Sequence, residues 1–236
     1  MSEEQQPTSV NEVLLDLERP QRTGLPEAVY CHHKSVDQLC TILTQLRESN
    51  TPMLFTRMHS SVYQALHNDF PAALDYDPVS RTAFYWPPGY QRPKIKVSSS
   101  VAVVTGGSSD VPIAREAVRT LAFGGQSALE INDVGVAGLW RLHSRLAEIK
   151  SKPVVICVAG MDAALPTVLG GLVASIIIAV PSSVGYGVAD SGRTALNSLL
   201  CSCASGLVVV NIDNGYGAAC AALRYLHQPN KPAIPR

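Results

Sequence analysis

From residue 101 onward the chain keeps repeating one unit, a short, largely apolar run followed by a stretch of helical spacing. The runs are VAVVT (101–105), ALEI (128–131), PVVICVA (153–159), IIIAV (176–180) and LVVVNI (207–212). The spacing predicts helices over 111–123, 138–149, 163–173, 191–202 and 216–227. A strand wet on one side alternates apolar and polar residues, whereas one covered on both sides reads as a continuous apolar run. Such alternation leaves few architectures: parallel strands, right-handed crossovers and helices on both faces of one sheet. The expected fold class is α/β, a three-layer sandwich with a parallel, flavodoxin-like sheet.

The first part of the chain reads differently. Val36, Leu39, Cys40, Leu43 and Leu46 recur at helical spacing, and Ser35 with Gln38 forms a capping-box pattern, so a helix is expected over 35–49. MLFTR (53–57) reads as a strand, 60–68 as a helix, and Asp77-Pro78 as a turn before a strand ending at Trp86. PPGYQRPK (87–94) is the linker candidate. The expected organisation is a flexible terminus (1–12), a small α+β module (13–94) and a nucleotide-binding catalytic domain (95–230).

Nineteen basic residues balance nineteen acidic ones, which favours neither a nucleic-acid nor an anionic-membrane partner. The opening MSEEQQPTSVNE is polar and acidic, unlike a secretory signal, and the run Ile176–Pro181 is too short to span a bilayer. A cytoplasmic protein is expected. Six cysteines in 236 residues suggest free thiols rather than a disulfide framework. His32 and His33 beside Cys31 read as solvated loop residues.

In an open parallel sheet, ligands bind outside the carboxyl ends of the strands. Five polar or glycine-rich loops fall there. The first, Gly106-Gly107-Ser108-Ser109-Asp110, opens a helix, offering amides to a phosphate and Asp110 as a helix cap. The second brings Asp133 and Gly135, the third Gly160, Met161 and Asp162. Asp162 reads equally as a helix cap or as a partly buried carboxylate able to move a proton. The fourth holds Ser182, Ser183, Gly185, Tyr186 and Gly187, where Tyr186 could stack on a planar ring. The fifth holds Asp213, Asn214 and Gly215. Upstream, Arg19 and Arg22 flank a Gly-x-Pro turn and read either as cationic donors for a carboxylate or phosphate or as a solvated lead-in. Cys203, at the end of the 191–202 helix, reads on its own as a small core residue.

These strings resemble the LarB family: VAVVTGGSSDVPIA, DVGVAGLWRL, VVICVAGMDAALPTVLGGL, IIIAVPSSVGYG and VVVNIDNGYGAA, with RTGLPEAVY as its lead-in. That family makes pyridinium-3,5-biscarboxylic acid mononucleotide, the first step toward the nickel pincer cofactor. Its C-terminal domain is similar to PurE, the aminoimidazole ribonucleotide (AIR) carboxylase. The resemblance implies nicotinic acid adenine dinucleotide, or NAD, as substrate with CO2 or bicarbonate. It implies no organic cofactor, assistance by Mg2+, and a homo-oligomer of octamer type. It implies Cys203 as the nucleophile, although Cys201 stands where the family carries asparagine. Asp162 stands where the family carries glutamate and takes the proton-acceptor role. PurE carries a histidine after its second strand; residues 133–138 have none, which argues against the purine reaction. A non-catalytic nucleotide-binding regulator is the third reading.

Overall fold

A computed structural model describes residues 12–70, 74–96 and 98–227. Of the expected flexible terminus only Glu12 lies within the described residues, and the expected second domain runs past them at 228–230.

The first sheet contains β1 (Ala28–Tyr30), β2 (Met53–Thr56), β3 (Leu74–Asp77) and β4 (Thr82–Tyr85) in the order β1-β2-β4-β3. β1 and β2 are parallel, and the other pairings antiparallel. Short helices α1 (Arg19–Thr23), α2 (Val36–Glu48) and α3 (Ser60–Asp69) accompany it. The capping box at α2 is formed: Gln38 N donates to Ser35 Oγ and Ser35 N to Gln38 Oε1, both at 3.1 Å. Leu39, Ile42, Leu43 and Leu46 of α2 bury with Met53 and Phe55 of β2 in one cluster. β1 and β3 escape the sequence reading, because three or four residues carry no period and become strands only through their partners, β2 for the first and the neighbouring β4 for the second.

The second sheet contains β5 (Val101–Thr105), β6 (Ala128–Ile131), β7 (Val154–Ala159), β8 (Ile176–Pro181) and β9 (Val208–Val209). All pairings are parallel, in the order β6-β5-β7-β8-β9. The connecting helices are α4 (Val111–Phe123), α5 (Leu139–Lys150), α6 (Ala164–Gly170), α7 (Arg193–Leu200) and α8 (Gly215–Leu226). Alternate strand residues serve the two faces. Val101, Val103, Ile156 and Val158 pack with α4 and α8, whereas Ala102, Val104, Val155 and Cys157 pack with α5, α6 and α7. Burial on both faces is why these strands read as unbroken apolar runs. The three-layer α/β sandwich is the fold expected.

Three boundaries are corrected. β9 is only two residues of the expected 207–212, although Val210 N still donates to Ala179 O and Asp213 N to Pro181 O. α6 stops at Gly170 rather than at 173. α7 stops at Leu200, so Cys203 lies in the turn after it, exposed, and not on a helix or in the core.

α4 is covered twice. One side packs on the second sheet, and the other carries Glu116, Arg119 and Phe123 at helical spacing toward the first. Phe123 clusters with Leu54 and Phe84. The Arg119 guanidinium lies 3.8 Å over the Phe84 ring and bonds Asp75 O at 2.6 Å. The segment 87–94 is held in part: Trp86 stacks on Tyr90, and Arg92 lies over the Trp86 ring.

Candidate functional site

β6 and β7 flank β5 on opposite sides, so the connections leaving β5 and β7 diverge. Between them opens a crevice at the carboxyl ends of the strands. It is a cleft of about 390 Å³, lined by residues 106–110, by Asp133 and Gly135, and by residues 159–162. Three of the five expected loops thus meet, and the fourth adds Val184 to the lining.

The loops are fixed by close backbone approach. A side chain at Gly135 would stand 2.6 Å from Gly106 O, and one at Gly160 2.2 Å from Val184 O. Asp133, at φ 60°, receives support from both ends: its N–H donates to Thr105 Oγ1 at 2.9 Å, and its carboxylate pairs with Arg141 at 2.7 Å. Arg141 is a lining residue that sequence reasoning missed. Its signal was its place on α5, early enough to reach back to the second loop.

Asp110 is buried, and it does not cap α4 with its side chain. Instead its carboxyl accepts from Gly107 N at 2.8 Å and from Ser182 Oγ at 2.6 Å. The Gly107 amide is therefore already occupied and is not free for a phosphate. Burial pushes the Asp110 carboxyl above its usual value, and the bonds from Ser182 and Gly107 oppose that only in part. Asp162 is exposed at the rim, not partly buried; its Oδ1 accepts from Ala164 N at 3.4 Å, close to the cap reading. Met161, at φ 55°, is also at the rim and 44% exposed.

Other expected residues lie elsewhere. Tyr186 is exposed outside the cleft lining, and Gly185 and Gly187 belong to the same exposed loop. Ser183 N donates to Asp213 Oδ1 at 2.7 Å. Gly215 is a packing glycine: a side chain there would stand 2.3 Å from Ile113 O of α4. Arg22 is engaged with Asp16 by two bonds of 2.9 and 2.6 Å, and neither it nor Arg19 lines the cleft.

Cys203 is also absent from the cleft. α7 carries the chain back from the carboxyl edge, so its far end lies at the opposite edge of the sheet. Ser202 Oγ is 2.7 Å from Thr167 Oγ1, and Ala204 lies against Gly170 at the end of α6. Asp162 precedes the start of α6, and α6 alone is about 10 Å long at 1.5 Å per residue. Within one chain Cys203 does not line the cleft at whose rim Asp162 stands.

A second cleft, of about 290 Å³, lies where the two sheets meet. The carboxyl ends of β1 and β2 deliver Tyr30, Thr56 and Arg57, and the fifth loop delivers Asn211, Asp213 and Asn214. Arg57 Nε bonds the buried Glu116 at 3.3 Å, while Nη2 donates to the carbonyl of Asp213. Glu116 also accepts from Tyr216 N at 3.2 Å. Burial raises its carboxyl, and Arg57 pulls it back.

Among the described residues no group of three or more His, Cys, Asp or Glu side chains gathers to hold a metal. A resident cation caged by three such ligands does not fit this set. Nor is any helix among them long and apolar enough to cross a membrane.

Residues 8–87 match the LarB/PurE-like N-terminal domain, and residues 100–233 match AIR carboxylase. An uncharacterized protein of Methanocaldococcus jannaschii is 36% identical over 212 residues, which covers 86% of this chain and 80% of the relative. A crystallised PurE2 variant of Treponema denticola is 24% identical over 58% of this chain and 83% of its own, with a TM-score of 0.44. The chain therefore belongs to the AIR carboxylase family, in the LarB form that sets a LarB/PurE-like domain ahead of the carboxylase domain.

Proposed function

We propose that this carboxylase-type protein is a LarB-type synthase, which carboxylates nicotinic acid adenine dinucleotide and hydrolyses it to pyridinium-3,5-biscarboxylic acid mononucleotide and AMP. The observation that carries the reading is the cleft at the strand carboxyl ends, with a carboxylate, Asp162, at its rim in a chain with a LarB/PurE-like N-terminal domain.

A pyridinium ring is electrophilic and cannot attack CO2. The Cys203 thiolate bonds to a ring carbon, and its electron pair converts the cation to a neutral, electron-rich dihydropyridine. C5 then attacks CO2. Asp162 takes the C5 proton, the C–S bond breaks, and aromaticity returns with the thiolate released. Water completes the cleavage of the phosphoanhydride.

Cys203 and Asp162 lie apart in one chain, so the reading requires a homo-oligomer in which the turn at Cys203 of one copy enters the cleft of another. Exposed apolar residues fit such a contact at both ends: Leu200 and Val208 near the cysteine, Met161 and Tyr186 near the cleft.

Two measurements test this. Mass spectrometry after incubation with nicotinic acid adenine dinucleotide, bicarbonate and Mg2+ should detect the biscarboxylated mononucleotide and AMP, both absent with Cys203→Ala. Mixing and reassociating Cys203→Ala with Asp162→Asn chains should restore about a quarter of wild-type activity, since random association pairs an intact donor with an intact acceptor at that frequency. No restoration would sink the shared site. Conversion of aminoimidazole ribonucleotide instead would move the chain to the purine reaction, and turnover of neither would make it a binding protein.

A further inference from the structure

We infer that the second cleft is a nucleoside site, which takes the adenosine half of the dinucleotide through base stacking on Tyr30 and ribose recognition at Asp213. The assignment to adenosine rests on the synthase reading; the nucleoside chemistry rests on the cleft.

Its lining combines what a nucleoside needs. Tyr30 is 54% exposed, with His32 edge-on to its ring at 6.1 Å, so an aromatic face is offered and held. Asp213 spends Oδ1 on Ser183 N at 2.7 Å, and a carboxylate has further lone pairs for a vicinal diol. Asn211 and Asn214 contribute amides at the same wall.

The backbone supplies an independent observation. Arg57 and Asp213, which are joined to one another, both hold left-handed conformations, at φ 55° and 56°. Side chains in such conformations persist where the surroundings over-determine them, and they concentrate at ligand sites. The buried Glu116 anchors this arrangement from beneath. The electrostatics favour a sugar here over a phosphate, because Glu116 and Asp213 stand beside the single cation Arg57 within this lining.

The two clefts are neighbours. Ser182 bonds Asp110 in the first, and Ser183 bonds Asp213 in the second. A dinucleotide seated in both would drape its phosphates across this two-residue ridge. The N-terminal module would then recognise the leaving half of the substrate.

The test titrates AMP, and separately 2′,3′-dideoxyadenosine monophosphate, onto the full chain by calorimetry. Amide hydrogen exchange locates the bound probe. AMP should bind and protect residues 28–30 and 211–216. Tyr30→Ala should weaken it about tenfold, the usual worth of one base on an aromatic ring. Wild type should prefer AMP to the dideoxy compound, and Asp213→Asn, which keeps an acceptor for Ser183, should lose that preference. Equal AMP affinity in wild type and Tyr30→Ala, protection confined to the first cleft, or no AMP binding would each overturn the inference, even if the chain proves to be the synthase. AMP bound at 28–30 and 211–216 by a chain that carboxylates nothing would sustain the nucleoside site and remove the synthase.

Discussion

The hydroxyl of Ser182 donates to the carboxyl of Asp110 at 2.6 Å, across 72 residues of sequence, and both residues are buried. This bond joins the loop after β8 to the loop after β5, and it places a buried acid beneath the first cleft.

Because burial raises the Asp110 carboxyl, the folded chain holds that proton more tightly than the unfolded one. The stability contributed by the neutral acid is full below the unfolded carboxylate value and is lost as pH rises through the folded value. Asp110→Asn keeps a carbonyl for Gly107 N, and its amide can donate to Ser182 Oγ, with no charge to bury. Urea unfolding should find the variant more stable than wild type at pH 7.5, with the advantage shrinking toward pH 4. A difference constant with pH would mean that Asp110 does not titrate in this range.

Thiol labelling should divide the cysteines by position. Cys201 and Cys203 are exposed, whereas Cys31 and Cys157 are buried. Burial pushes the Cys31 thiol up to about 12 and raises Cys157 as well. At neutral pH the thiolate fraction of Cys31 falls roughly a thousandfold below an ordinary cysteine, before access is considered. Mass mapping after a short alkylation should find Cys201 and Cys203 modified and Cys31 and Cys157 untouched. Protection of Cys203 by nicotinic acid adenine dinucleotide, without protection of Cys201, would favour it as the nucleophile.

Gly160→Ala should be costly for its size. The added methyl would fall 2.2 Å from Val184 O and 2.7 Å from Ser182 Oγ, and one of these is backbone. A loss of about 1–3 kcal/mol is expected from such overpacking, together with failure to bind dinucleotide. Gly171→Ala, whose nearest neighbour would be 3.6 Å away, is the control and should change neither.

The Arg57–Glu116 pair links the two sheets, with Arg57 partly exposed and Glu116 buried. Arg57→Ala leaves a buried carboxyl without its counter-charge, which should cost about 2–3 kcal/mol, less than for a fully enclosed pair. Adding Glu116→Gln should return part of that loss. A double-mutant cycle with no coupling would mean that the pair is incidental.

Much of this architecture was legible because doubly covered strands announce themselves. β5 matches its apolar run residue for residue, β6 keeps its expected bounds as a half-buried edge strand that carries Glu130, and α4 spans the 111–123 expected. The first three loops were legible for the same reason, since a strand's end fixes which edge its loop occupies. The separation of Cys203 was also present in that alternation. A residue after a helix and before a strand lies at the edge opposite the clefts, whatever a motif implies. Tyr30 and Arg57 were not legible. Tyr30 closes a three-residue strand, and the partner of Arg57 is 59 residues away on a helix that had no visible reason to carry a buried glutamate.

The left-handed residues have a consequence for how far this chain could be stabilised. Arg57, Asp133, Met161 and Asp213 line the clefts in a conformation that costs a side-chain-bearing residue up to roughly 1–2 kcal/mol relative to glycine. Glycine would relax the backbone at each of these positions, yet the chain holds an arginine, a methionine and two aspartates there. At Arg57 the ion pair with Glu116 outweighs that relief, but at Asp133, Met161 and Asp213 the chain forgoes thermal tolerance where a consensus-minded engineer would look first and where recovering it would erase what the clefts recognise.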